Sequence, residues 1–121
     1  MPIQSRLAIG LTVFLAIVIA ALTLAPISAP APVEHADKIY HALAFAGLAL
    51  PISVFRPRWL MVAVPAFAAF GGLIEIVQPY VGRECSLLDW LADLAGIGIG
   101  VVAGRCLAAL PWSPRRLSGT R

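Results

Sequence analysis

Four apolar runs, at residues 7–25, 39–55, 59–78 and 88–110, take up most of this 121-residue chain, and the stretches between them are only loops. A membrane-crossing helix needs roughly 20 mostly apolar residues. Hydrocarbon also obliges such a segment to bond its own backbone, which a helix does within a single run. The expected fold is therefore all-α: a polytopic membrane protein forming a compact bundle of four transmembrane helices, one domain over residues 1–121. Composition points the same way. Hydrophobic residues make up 60% and charged residues 12% of the chain, with mean hydropathy +0.91, too apolar for an ordinary soluble domain. A net charge of +3 raises the question of nucleic acid. The basic residues are scattered over chain ends and short loops instead of lining one face, so no nucleic-acid partner is expected.

Arg6 precedes a first run with no charge, and Ile27, Ser28 and Ala29 resemble a cleavage site for a signal peptide. Pro30 directly after the cut argues against processing, and the run is long enough to span, so it is read as a retained helix. Residues 26–32 form a Pro/Ala linker that disfavours helix, and Glu34, His35, Asp37 and Lys38 lead into the second run. Arg56, Pro57 and Arg58 make a turn that allows only an antiparallel pair. Pro65 is tolerable inside a membrane helix, and Trp59, Tyr80 and Trp112 suit interfacial positions.

Orientation follows from Lys and Arg. With four helices, Arg6, Arg56, Arg58, Arg105, Arg115, Arg116 and Arg121 share one side, against Lys38 and Arg83 on the other. The positive-inside rule then places both termini in the cytoplasm and the two longer loops outside. Cys85 and Cys106 fall on opposite sides, too far apart for an intramolecular disulfide, and neither has a metal or redox spacing.

Residues 71–104 read GGLIEIVQPYVGRECSLLDWLADLAGIGIGVVAG, two apolar spans around a polar loop, and Glu75, Asp89 and Asp93 all lie close to that loop. Glu75 and Gln78 share a helix face, as do Asp89 and Asp93, and on the second helix so do Asp37, His41 and Leu48. At 1.5 Å per residue, His41, Glu75 and Asp93 fall about 5 to 8 Å from the outer helix ends. An acid in hydrocarbon turns inward and finds partners. Asp37, Lys38, His41, Glu75, Gln78, Arg83, Asp89 and Asp93 are therefore the candidate members of an outer polar pocket. Arg83 is expected to bridge Asp89 or Glu75, and Lys38 to pair with Asp37 or Glu75.

Three uses of this constellation are open: polar glue that sets helix register, a pocket for a lipid headgroup or lipid-linked sugar, and a catalytic centre. No resident cofactor is required. A divalent metal is the one candidate, with His41, Glu75, Asp89 and Asp93 as its ligands. For catalysis, His41 with an acid partner suits a general base and Ser86 or Cys85 is the nearest nucleophile. His35 reads as a loop residue. Gly96, Gly100 and Gly104 continue the Asp93 face at small-residue spacing, for close packing inside the chain or, alternatively, a homodimer seam.

The motif DKIYHALAF at 37–45, the run Glu75, Ile76, Val77, Gln78, then Arg83, and then Asp89, Asp93, Gly96 and Gly100 together resemble the VanZ-like membrane family. The resemblance covers most of the chain beyond Asp37. It implies a small polytopic protein of the bacterial inner membrane in contact with membrane lipids. It also implies a link to the cell envelope and to glycopeptide (teicoplanin) susceptibility, from which the family takes its name. Asn is frequent in that family where Asp93 stands, so this chain carries an extra acid in the cluster. Some relatives bear a phosphotransbutyrylase label, but no phosphate-cradling glycine loop is present here to support that chemistry.

Overall fold

The computed structural model describes residues 2–25, 36–83 and 86–111. These form four helices, α1 (Ile3–Leu24), α2 (Ala36–Phe55), α3 (Leu60–Val77) and α4 (Leu87–Ala109), with 3-10 turns at Pro57–Trp59 and Gln78–Val81 and no strand among the described residues. All four helices are long and apolar enough to cross a membrane, which marks a multi-pass membrane protein. Each expected run is a helix. The largest difference is at α1, which begins at Ile3 instead of residue 7. A charge such as Arg6 does not stop a helix when its side chain is exposed, because a long basic side chain can reach out along the helix to water. His35, Cys85, Trp112, Arg115, Arg116 and Arg121 lie outside the described residues.

The distribution of side chains is that of a lipid-facing bundle. Phe14, Ile17 and Leu22 of α1, Leu43 of α2, Met61 and Val62 of α3, and Ile99 and Val102 of α4 are all exposed. Meanwhile Ser5, Ser53, Glu75, Gln78, Asp89 and Asp93 are buried. A water-soluble monomer would reverse much of this arrangement.

The tightest pairing in the molecule is between α2 and α4, which run parallel, since Ala42, Ala46 and Ser53 face Gly96, Gly100 and Gly104 in order. A Cβ at Gly96 would lie 2.2 Å from the Ala42 carbonyl oxygen, and one at Gly100 2.3 Å from that of Ala46. Only glycine permits backbones this close, and close approach is what drives helix pairing where the hydrophobic effect is absent. The glycine face is thus occupied by α2 within the chain. A homodimer seam on the Gly96 face would have to displace α2.

Helix α3 packs on α4 and α2, and α1 on α2. Phe45, Leu48, Ala49, Ile52, Phe67, Ile74 and Ile97 form the apolar core between them. The turn after α3 leaves through Gly82 at φ +80°, a left-handed position that costs glycine little.

Candidate functional site

Three helix ends converge where α2 and α4 begin and α3 finishes. His41 lies five residues into α2, Glu75 two residues from the end of α3, and Asp89 and Asp93 two and six residues into α4. All four therefore sit within about 9 Å, along the helix axis, of the ends of their elements. This common depth comes from sequence spacing, and the α2–α4 glycine seam turns the His41 and Asp93 faces toward each other.

The shortest contact is between His41 Nδ1 and Asp93 Oδ1, at 2.7 Å. Asp93 is fully buried and His41 is 9% exposed. Gly71 makes room on the other side, since a Cβ there would come within 2.8 Å of Asp93 Oδ2. Glu75 accepts a bond from the Ser86 backbone N–H at 3.0 Å, joining the end of α3 to the start of α4. Asp89 lies in the first turn of α4, where the helix dipole favours a negative charge. One ligand atom each from His41, Glu75 and Asp89 falls within 4.8 Å of the others.

The cation beside Asp89 is Lys38, with Nζ at 3.5 Å from Asp89 Oδ1 and 3.6 Å from Asp37 Oδ2. Lys38 thus takes the place at Asp89 that the sequence suggested for Arg83. Asp37 itself is half exposed at the rim and does not enter the buried group. Arg83 instead donates to the Ala25 carbonyl at 3.2 Å, and Gln78 Nε2 donates to the Thr23 carbonyl at 3.2 Å. Those oxygens belong to the last turn of α1 and its C-cap, where carbonyls have no helical partner. Two residues assigned from sequence to the pocket therefore bind the end of α1 to the rest of the bundle.

The cluster is short of donors. Glu75 Oε1, Gln78 Oε1, Asp89 Oδ1 and Asp93 Oδ2 are buried without a hydrogen-bond partner. Asp89 Oδ1 has the Lys38 ammonium at ion-pair distance, but not aligned as a hydrogen bond. The three carboxylate oxygens among them, when ionised, can only accept, so groups that bring N–H, O–H or positive charge suit them. Each unsatisfied buried group costs about 1–3 kcal/mol, whereas an interhelical polar contact in a membrane contributes on the order of 0.6 kcal/mol.

Residues that sequence reasoning passed over also shape the site. Trp90 donates from Nε1 to the Ala68 carbonyl at 3.0 Å and packs over Gly72, fixing α4 on α3. Gly71 and Gly72 are adjacent glycines in an apolar run, the one sequence signal that pointed to a close approach here. Farther along the seam, Ser53 is fully buried and donates to the Val101 carbonyl at 2.7 Å. Compared with protein-family models, curated proteins and solved structures, the chain gives no match.

Proposed function

We propose that this chain is a VanZ-like protein of the bacterial cytoplasmic membrane, with both termini in the cytoplasm. Its polar cluster lies in the outer leaflet and binds a component of the cell envelope, a lipid headgroup or a lipid-linked sugar. The orientation is supported by the described cations, with Arg6, Arg56, Arg58 and Arg105 at one end of the bundle and Lys38 and Arg83 at the other. The single observation that carries the binding function is the buried carboxylate group of Glu75, Asp89 and Asp93, in which Glu75 Oε1 and Asp93 Oδ2 have no hydrogen-bond partner and Asp89 Oδ1 has only the Lys38 ammonium at ion-pair distance. Such a set calls for hydroxyl or amine donors, which sugars and amine-bearing headgroups possess, and it disfavours a bare phosphate. A link to teicoplanin susceptibility follows from the family resemblance.

A second reading, a membrane-embedded metal-assisted hydrolase or transferase acting on a headgroup, draws on the His41–Asp93 pair, since an acid-bound imidazole suits a general base. The third, a structural helix-packing subunit, finds its glycine face already taken by α2.

The test is mass measurement of lipids retained by gently purified protein. Wild type is expected to hold one headgroup class near stoichiometry, and Glu75→Gln and Asp89→Asn to lose it while keeping membrane level and melting temperature. Equal retention of bulk lipid by wild type and both variants would remove the reading. Orientation is checked in a chain without its native cysteines by Tyr80→Cys. Tyr80 is exposed, and a membrane-impermeant thiol reagent should label the new cysteine from outside intact cells.

A further inference from the structure

We infer that His41, Glu75 and Asp89 form a binding site for one divalent cation of the Zn²⁺ or Mn²⁺ class, with Asp93 positioning the His41 ring. The inference rests on reading the buried cluster as a ligand site, and it names an ion as one of the ligands. Two independent observations meet there. The first is geometric: three ligand atoms, one from each of three helices, lie within 4.8 Å of one another. A metal bound at about 2.0–2.2 Å to each ligand needs them about 3–4 Å apart. Binding therefore requires the three side chains to draw together by up to about 1–2 Å.

The second observation is the lack of partners. Glu75 and Asp89 are 4% and 7% exposed, yet Glu75 Oε1 and Asp89 Oδ1 accept no hydrogen bond. Glu75 Oε1 is a carboxylate oxygen removed from water with no donor, and Asp89 Oδ1 has only the Lys38 ammonium at 3.5 Å, so both can take a cation. The local balance agrees. Glu75, Asp89 and Asp93 bring three acids, against the Lys38 ammonium and the imidazole of His41.

The His41–Asp93 contact gives the site its form. Asp93 Oδ1 engages Nδ1 at 2.7 Å, which leaves Nε2 as the nitrogen available to an ion. Metal-bound histidines commonly have their second nitrogen held by a carboxylate, which fixes the tautomer and makes the ring a better ligand. One nitrogen and two carboxylates suit Zn²⁺ or Mn²⁺ better than Ca²⁺, which prefers oxygen ligands throughout. Three protein ligands leave a coordination position open. An open position would admit an oxygen of the headgroup, including a phosphate oxygen that the acids alone would repel. Lys38 is the competitor, since its ammonium already lies 3.5 Å from Asp89.

The full-length protein in detergent is stripped with a chelator, dialysed and titrated with Zn²⁺, Mn²⁺ or Co²⁺ without added lipid. Binding is read by elemental analysis, and for Co²⁺ by its visible absorption. Wild type is expected to bind close to one equivalent and to gain melting temperature on binding. Glu75→Gln and Asp89→Asn should weaken binding at least tenfold, and Asp93→Asn by about 10- to 100-fold with unchanged stoichiometry at saturation. His35→Gln and Asp37→Asn should match wild type. Wild type that binds less than about a tenth of an equivalent, or binding that follows His35 instead of Glu75 and Asp89, would overturn the inference. Both wild-type readouts stand even if a variant fails to fold. Because no lipid is present, the ion site can fail while the headgroup reading stands, and the headgroup reading can fail in lipid measurements while the ion binds.

Discussion

The seam between α2 and α4 has a polar group at each end, and the two ends differ in how they are satisfied. At the Ser53 end, the hydroxyl donates to the Val101 carbonyl at 2.7 Å, the Ser53 carbonyl accepts from Arg105 at 3.4 Å, and the hydroxyl has its partner. At the His41 end, His41 has its short contact with Asp93, but Asp93 Oδ2 and Glu75 Oε1 have no hydrogen-bond partner and Asp89 Oδ1 has only the Lys38 ammonium at 3.5 Å. The same helices, in the same parallel register, thus carry one polar end whose side chain is paired and one whose acceptors are not all paired.

The largest effect should come from a change that opens the whole seam. Gly100→Val sets a Cβ 2.3 Å from the Ala46 carbonyl oxygen, a rigid backbone atom that cannot move aside. Because backbone cannot give way as a side chain does, its cost should go well beyond the about 1–3 kcal/mol typical of overpacking, enough to keep the two helices from pairing. Membrane level and the cooperative melt in detergent should both collapse. Gly98→Ala, with nothing within 4 Å of the new Cβ, should leave both near wild type.

Next in size is a change confined to the His41 end. His41→Leu leaves the fully buried Asp93 without its 2.7 Å partner, and breaking a buried pair from one side costs about 3–5 kcal/mol. The double variant His41→Leu with Asp93→Leu removes both groups and should recover most of that loss. Melting temperatures of the four proteins form a double-mutant cycle whose coupling term measures the pair directly. A coupling near zero would mean that the contact is incidental to the fold.

The four helices were legible in the sequence because apolar length alone decides them in a bilayer. The approach of His41 to Asp93 was legible too, because helical spacing puts Asp93 on one face with Gly96 and Gly100, and small residues mark the face that packs. The partners of Arg83 and Gln78 were not. Both donate to carbonyls at the end of α1, and unpaired helix-terminal carbonyls are backbone atoms that side-chain patterns do not reveal. Lys38 reached Asp89 and not only its neighbour Asp37, because a long flexible chain can span between helices in ways that spacing on one helix does not predict. Ser53 was overlooked for a related reason. A lone serine in an apolar run has no charge to draw notice, although it bonds to two residues of α4, Val101 and Arg105.

At the satisfied end of the seam, Ser53→Ala removes one hydroxyl whose bond goes to a backbone carbonyl. The expected loss is about 1 kcal/mol, seen as a small drop in melting temperature, with ion and lipid retention unchanged. A loss of either ligand from this substitution would mean that the two ends are coupled and would weaken the contrast drawn between them.

The smallest effect should come from Asp37, and it sharpens the contrast most finely. Asp37 and Asp89 both lie within 3.6 Å of the same Lys38 ammonium, but the Asp37 side chain is 52% exposed and that of Asp89 is 9%. If burial is what turns a carboxylate into a ligand, Asp37→Asn should change stability by less than about 0.5 kcal/mol, as exposed pairs do. It should also leave ligand retention intact. Asp89→Asn, which removes the same charge a little deeper, should abolish retention at similar stability. Two acids on one lysine with opposite outcomes would show that the helix ends select by depth. Equal outcomes would show that only net charge near Lys38 matters, and the unpartnered oxygens would then need no ligand to explain them.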